Sequence, residues 1–179
     1  MGVFFKLVGL TIIVAGVAVV IAAFVGNPKA SCADVAPTTS SAAANSFIAK
    51  WNAFEAGYRR GPATVSFTED EVTSRGSSYL AENGITAKHL EVHFCPGAGK
   101  GQAVANVTIG GVDLAVLAEG HLDVGSSQIV VDSLQIGSVP GFIGASAANS
   151  LIGAASVKAP REIRGVTTTT TTATLNAQP

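Results

Sequence analysis

Charged residues are scarce in this sequence. Asp, Glu, Lys and Arg make up 13% of its 179 residues, and the formal net charge is −1. A protein without a basic excess has no electrostatic field that draws in nucleic acid. We therefore predict no nucleic-acid partner.

Recognisable catalytic motifs are missing as well. No G-x-S-x-G elbow is present to hold a serine nucleophile. The loop Gly97–Gly101 lacks the G-x-x-x-x-G-K-[ST] spacing of a phosphate-binding loop, and a strand rather than a helix is predicted after it. The sequence predicts that the protein is not an enzyme, that it has no catalytic residues and that it needs no cofactor.

Cysteine is limited to Cys32 and Cys95. Both follow a long apolar N-terminal segment, so both fall on the predicted outer side of a membrane, where an oxidising environment permits one disulfide. Pairing needs a geometry that a sequence does not show. The residues therefore leave two alternatives open, one disulfide or two unpaired thiols.

Four side chains that commonly bind metals alternate along one predicted strand: His89, Glu91, His93 and Cys95. Neighbours on one face of a strand are about 6.6 Å apart, so the four cannot share one ion. A single strand also cannot surround an ion tetrahedrally. We predict no metal site and interpret this face as the solvated side of an antiparallel sheet.

The longest apolar run is Leu7–Val25, which contains no charged residue. As a helix it would be about 28 Å long, close to the hydrocarbon thickness of a bilayer. This length favours an uncleaved signal anchor over residues 1–26 rather than a cleaved secretory signal. We predict a cytoplasmic N-terminus, a stalk rich in Pro, Ser and Thr over residues 27–44, and an extracytoplasmic domain over residues 45–179.

Three helices are predicted in this domain. The first has an aromatic stripe at helical spacing, formed by Phe47, Trp51, Phe54 and Tyr58. Packing of this stripe on the core is favoured over a position on the membrane surface, because Glu55 dilutes the basic face. The second helix begins at a capping box of Thr68 and Glu71 and ends near Glu82. Its expected buried stripe consists of Val72, Gly76, Tyr79 and Leu80. The third helix covers Phe142–Val157.

From Ile85 onward the apolar period changes from 3.6 to 2, which is typical of strands. We expect strands over residues 89–95, 102–109, 112–119 and 128–136, with a tight turn at Gly110-Gly111. The Thr-rich segment 164–175 is either a disordered or glycosylated tail or a last strand, and its β-branched residues favour the strand. The predicted fold class is α+β: an N-terminal transmembrane helix followed by a curved antiparallel sheet wrapped by about three helices.

The predicted strands are apolar on one face and, in places, on both. If the sheet curves, its concave apolar face forms a cleft for an apolar ligand, and Ala103, Ala105 and Ala115 leave room there. A fully packed core is the alternative. The expected lining consists of Val92, Phe94, Val107, Ile109, Leu114, Val116, Ile129 and Phe142.

Three short motifs follow one another in a recognisable order: TEDEV at 68–72, LQIGSVP at 134–140 and AANSLIG at 147–153. Together with the anchor, they resemble the bacterial extracytoplasmic proteins related to LmeA and YpmS, whose domain is similar to half of a TULIP-type lipid-binding module. Ser74 and Val139 depart from that family's pattern. The matching positions are Thr68, Glu69, Glu71, Ile136, Gly137, Pro140 and Asn149.

This resemblance implies a curved sheet that binds a lipid tail in the cell envelope. The family has no catalytic residues that could be assigned to positions in this sequence. We expect a non-enzymatic, membrane-anchored protein whose partner is a membrane lipid or a polyprenyl chain, which it holds, presents or moves. One alternative is a structural or scaffolding envelope protein with a filled core and a partner-binding surface. Another is an enzyme that acts on envelope lipid or glycan.

Overall fold

The computed structural model describes residues 26–82, 84, 87–97, 99–109, 111–125, 128–139 and 162–179. The α+β class is confirmed in these ranges. The elements in chain order are α1 (Ser41–Tyr58), β1 (Ala63–Thr68), α2 (Glu69–Glu82), β2 (Ala87–Cys95), β3 (Lys100–Ile109), β4 (Val112–Asp123), β5 (Gln128–Ile136), β6 (Ile163–Thr168) and β7 (Thr172–Ala177).

Two predicted elements fall outside the described residues. These are the helix at Phe142–Val157 and, apart from Gly26, the anchor over residues 1–26. Within the described ranges, neither helix combines the length and the apolar character needed to span a membrane.

The strands form two antiparallel sheets instead of the single sheet that was expected. One has the order β1-β7-β6, and the other is the meander β2-β3-β4-β5. The single-sheet prediction was wrong because the segment that forms β1 was too short to assign firmly from the sequence, and the Thr-rich segment supplies two strands that join β1 in a separate sheet. The sheets meet at one corner, where Gly97 and Thr168 exchange two backbone hydrogen bonds of 3.0 Å.

The Thr-rich segment folds as a hairpin, with β6 and β7 antiparallel. In its turn, the Thr169 N–H donates to the Thr172 carbonyl at 2.9 Å, and the Thr169 hydroxyl accepts from the Thr172 N–H at 3.0 Å. The preference for strand over tail is confirmed, but the prediction of one continuous strand was wrong. Threonine hydroxyls also stabilise turns by bonding to nearby backbone groups, and this interrupts the strand.

Helix α1 packs its aromatic face on the three-stranded sheet. Phe54 is 3% exposed and belongs to one core cluster with Tyr58, Val65 and Phe67. The structure therefore supports the core position that the sequence favoured. The helix starts at Ser41, inside the segment assigned to the stalk, because the preceding serine caps it by accepting a backbone N–H bond.

Helix α2 begins at the predicted capping box. The Glu71 N–H donates to the Thr68 hydroxyl at 3.3 Å, and the Thr68 N–H donates to the Glu71 carboxylate at 3.0 Å. Lys50 and Ser46 of α1 also donate to this carboxylate. Burial raises the pKa of Glu71, but these hydrogen bonds outweigh it, so the net pKa lies below its usual value. The capping box thus also joins the two helices.

We expect Thr68→Ala to lower the free energy of unfolding by about 1 kcal/mol, because the Glu71 N–H loses its side-chain acceptor. Thr68→Ser keeps the hydroxyl and should stay close to wild type. Urea unfolding followed by the fluorescence of Trp51, the single tryptophan, measures both variants. Equal losses would show that the hydroxyl is not the stabilising group.

The buried face of α2 is polar, which the predicted stripe did not anticipate. Tyr79, which was placed in that stripe, is 55% exposed. The buried residues of the helix are Glu69, Glu71, Thr73 and Ser74.

The reason for this polar face is the neighbour of α2. The helix lies along the edge of β2, where outward-pointing backbone N–H groups need acceptors. The Phe94 N–H donates to the Glu69 carboxylate at 2.6 Å, and the Val92 N–H donates to the Thr73 hydroxyl at 3.0 Å. Polar side chains of α2 thus complete the hydrogen bonding of the sheet edge.

Residues 27–40, here called the strap, lie against the domain and do not form a free stalk. Cys32 forms a disulfide with Cys95 of β2. The backbone N–H groups of Ser31 and Cys32 both donate to the Gln102 side chain, at 2.7 and 3.1 Å. Two further N–H groups of the strap donate to side chains of α2. The stalk predicted over residues 27–44 is corrected accordingly, and α1 follows the strap directly.

Candidate functional site

One face of the four-stranded sheet, here called the inner face, consists of apolar residues and glycine. Strand register places its members opposite one another, and the two-residue β3–β4 hairpin that the sequence predicted sets this register. The inner face includes Val92, Phe94, Gly101, Ala103, Ala105, Val107, Leu114, Val116, Ala118, Gly120, Val131, Leu134 and Ile136.

The inner face has a depression over its two central strands. Two cross-strand pairs of small residues form this floor: Gly101 with Gly120, and Ala103 with Ala118. Larger side chains flank the floor, with Phe94 on β2 and Val131 on β5. Gly120 also sits at a β-bulge, where a Cβ would lie 2.5 Å from the Val130 carbonyl oxygen, so a larger residue does not fit.

A cleft of about 370 Å³ lies over this depression. Val92, Phe94 and Val131 of the four-stranded sheet line it together with Val166 and Ala173 of the three-stranded sheet. This volume lies at the lower end of the range of small-molecule sites, about 300–1,000 Å³. Apolar walls contributed by two sheets suit a hydrocarbon, which gains free energy by leaving water.

Most polar groups around the cleft are engaged with other protein groups. The Thr168 hydroxyl donates to a backbone carbonyl, the Gln102 amide donates to Glu119, and the His121 imidazole lies 2.9 Å from an aspartate. Lys100 is also among the lining residues, but strand register places its exposed side chain on the outer face with Cys95 and His121. A ligand in this cleft would therefore meet mainly apolar surface.

Two of the eight residues predicted to line a groove, Val92 and Phe94, line this cleft. Phe142 lies outside the described residues. Five others share the inner face by strand register: Val107, Ile109, Leu114, Val116 and Ile129. The described side chains among these five are half-buried and lie further along the strands than the cleft.

The sequence analysis missed most of the cleft. Ala103 was expected to leave room, but its cross-strand partner Ala118 was not recognised. The same expectation for Ala115 was wrong, because strand alternation places it on the outer face. The sequence did contain the information needed to find the Ala103–Ala118 pair. Counting residues outward from the Gly110-Gly111 turn places Ala103 opposite Ala118 and Gly101 opposite Gly120. Val166 and Ala173 were missed because the Thr-rich segment was expected to form one strand.

The opposite, outer face of β2 is not solvated as predicted. His93 is fully buried, and Cys95 is 9% exposed and joined to the strap. The His93 ring lies between two carboxylates, with Nδ1 3.4 Å from Glu69 and Nε2 3.4 Å from Glu91. The prediction of a solvated face was wrong for His93 and Cys95, which α2 and the strap cover, whereas His89 is exposed.

A second cleft, of about 550 Å³, lies between the strap and this outer face. Its lining combines apolar residues with polar ones, which include Lys29, His89, Glu91 and Asn106. His89 has a φ of 52° and lies where the β2–β3 register shifts. It therefore does not continue the regular alternation of Glu91, His93 and Cys95. In the described part of the chain, no three His, Cys, Asp or Glu side chains form a metal-binding group.

Comparison with known proteins gives no match: no protein-family model, no curated protein and no solved structure is significantly similar to the chain. The geometry of the cleft is therefore the main basis for a functional proposal.

Proposed function

We propose that the protein is a membrane-anchored extracytoplasmic lipid-binding protein of the cell envelope that acts by binding rather than by catalysis. The observation that carries this proposal is the cleft of about 370 Å³, with its floor of small residues and its apolar walls from two sheets. A hydrocarbon chain over this floor would occupy the volume that glycine and alanine leave free. The half-TULIP-like architecture implied by the resemblance is part of the same proposal.

The energetics are adequate for such a ligand. Each buried methylene contributes about 0.8 kcal/mol, so six of them contribute about 5 kcal/mol. That gain is offset by the freedom lost on binding, which predicts modest affinity and exchangeable rather than permanent occupancy.

Two features support the proposed location. The Cys32–Cys95 disulfide suits an oxidising compartment, where such bonds persist. The uncharged run Leu7–Val25 has the length of a membrane anchor. Together they support a domain outside the cytoplasm and close to its lipid source.

Filling the cleft should abolish lipid binding. We expect Ala118→Phe to reduce lipid uptake at least about tenfold, because a ring at the centre of the floor takes the volume that the ligand needs. Ala115→Phe is the matched control: it makes the same substitution on the same strand, but strand alternation places it on the outer face. Native mass spectrometry of the full chain, released from a mild detergent, measures bound lipid in both variants.

The same pair of variants separates lipid binding from the scaffold alternative. In a filled core, Ala118→Phe would overpack and destabilise the domain by about 1–3 kcal/mol, and wild type would carry no lipid. In a cleft, Ala118→Phe should unfold at nearly the wild-type urea concentration. The proposal would be contradicted if the wild-type protein carried no co-purified lipid and also took up no added lipid.

A further inference from the structure

The chain meets the four-stranded sheet at the turn that follows β5. Gly26 directly follows the apolar run Leu7–Val25 and is the first residue that the structure describes. A Cβ at Gly26 would lie 3.2 Å from the Gly137 carbonyl carbon and would clash with the Ser138 hydroxyl, so the contact is close. The Gly137 N–H donates to the Ala115 carbonyl of β4 at 2.8 Å. Gly26 therefore lies at the level of Ala115 along the strands.

The strap runs along the outer face away from this point. The Ser31 N–H donates to the Gln102 side chain at 2.7 Å, and Gln102 is the cross-strand partner of Glu119. Glu119 is four residues beyond Ala115 on β4, so the strap covers about 13 Å of strand length between Gly26 and Ser31. Followed backward from the disulfide, the chain therefore heads toward the β3–β4 turn.

The β3–β4 hairpin extends further in this direction than Gly26 does. β3 ends at Ile109 and β4 begins opposite it at Val112, three residues before Ala115. The hairpin therefore continues about 10 Å past the level of Gly26. The headgroup layer on each side of a bilayer is roughly 5–8 Å thick. A bilayer that held the segment before Gly26 would thus have its headgroups against the hairpin.

Apolar side chains connect this end of the sheet to the cleft. Val107, Leu114 and Val116 lie on the inner face between the hairpin turn and the floor pair Ala103–Ala118, and all three are half-buried. A hydrocarbon chain that left a bilayer at the hairpin would meet apolar residues from there to the floor. The path costs less free energy than one through water, because the chain stays in contact with apolar surface.

We propose that the hairpin end of the four-stranded sheet, residues 106–109 and 111–115, docks on the surface of the bilayer that holds the anchor. A lipid tail then enters the cleft along the inner face. The ion pair of Lys88 with Asp113, at 2.9 Å, balances the charges beside the turn, which lowers the electrostatic cost of approaching anionic headgroups. This inference rests on the proposed function, since it uses the predicted anchor, and it adds which surface meets the membrane.

The test uses two aspartates of β4 as labelling sites, one near each end of the strand. Asp113→Cys places a bimane fluorophore beside the hairpin turn, and Asp123→Cys is the matched control about 33 Å away along the same strand. Cys32 and Cys95 are paired, so without a reductant only the introduced thiol reacts. The full chain is studied in phosphatidylcholine nanodiscs with and without a lipid that carries a nitroxide quencher on its headgroup.

We expect bimane at position 113 to lose most of its fluorescence in the nitroxide nanodiscs, and bimane at position 123 to keep nearly all of it. Asp113→Cys also breaks an exposed ion pair, which contributes little to stability. Lys88→Cys, on the neighbouring strand β2, repeats the measurement at the same end of the sheet and should show the same loss.

Three results would overturn the docking surface. Stronger quenching at position 123 than at position 113 would reverse the orientation. Equal quenching at both would mean that the domain lies flat on the bilayer. No quenching at either, in a chain that co-elutes with the nanodiscs, would mean that the domain does not touch the bilayer and would leave this end of the sheet to a protein partner.

None of these three results bears on lipid binding, because native mass spectrometry measures lipid uptake separately. The proposed function fails instead if the wild-type chain neither carries lipid nor takes it up. A chain that does not co-elute with the nanodiscs would contradict the predicted anchor, and with it both the docking surface and the proposed location.

Discussion

Removing the Cys32–Cys95 disulfide is expected to lower the free energy of unfolding by about 4 kcal/mol. The two cysteines are 63 residues apart, and a cross-link that closes a loop of this length removes a large amount of chain entropy from the unfolded state. This loss is a large fraction of the stability of a typical domain, about 5–15 kcal/mol. The double variant Cys32→Ser/Cys95→Ser, measured by urea unfolding with Trp51 fluorescence, gives the value.

The control for this variant is the wild-type chain treated with a reductant. If the cross-link acts through the unfolded chain, the reduced wild type and the double variant should unfold at the same urea concentration. A loss below about 1 kcal/mol in both would contradict the prediction. It would mean that the hydrogen bonds of Ser31 and Cys32 to Gln102 hold the strap without help.

Glu69→Ala is expected to destabilise the domain by about 3 kcal/mol. The Glu69 carboxylate is buried, accepts the Phe94 N–H at 2.6 Å and lies 3.4 Å from His93. Truncation leaves that N–H without an acceptor at a covered sheet edge and removes the charge that faces a fully buried imidazole. Both lost interactions join α2 to β2. Global unfolding in urea should therefore report the full loss of stability.

Glu69→Gln separates the two contributions. A glutamine keeps a carbonyl oxygen for the Phe94 N–H but carries no charge toward His93, so a loss of about 1 kcal/mol is expected. Similar losses in the alanine and glutamine variants would show that the charge, and not the backbone hydrogen bond, is the dominant interaction. No loss in either variant would contradict the role of Glu69 as the acceptor at the edge of β2.

Local patterns in the sequence predicted the parts of the fold that depend on neighbouring residues. The capping box of Thr68 and Glu71 and the aromatic face of α1 are both decided within one or two helical turns. The four strands β2 to β5 followed from the period of two, and the β3–β4 pairing followed from one tight turn. Each of these features is determined by short-range sterics and hydrogen bonding.

Features that depend on distant neighbours were not predictable in the same way. The buried side of α2 is polar because a sheet edge needs acceptors, whereas an amphipathic pattern assumes an apolar neighbour. The location of the cleft required the cross-strand pair Ala103–Ala118 and a second sheet that brings Val166 over it. Alternation along the strands predicted the inner face as a whole, but it did not predict which part of that face lies under the cleft.

The attachment of the strap limits how far this domain can travel. For a chain held at the predicted anchor, only the six residues between Val25 and Cys32 could detach and extend before the disulfide stops them, a reach of about 25 Å. A tether that ran freely to the start of α1 would reach about twice that distance. Under the proposed function, cargo would therefore be exchanged directly with the bilayer that holds the anchor, and delivery across a wider envelope would require a separate carrier.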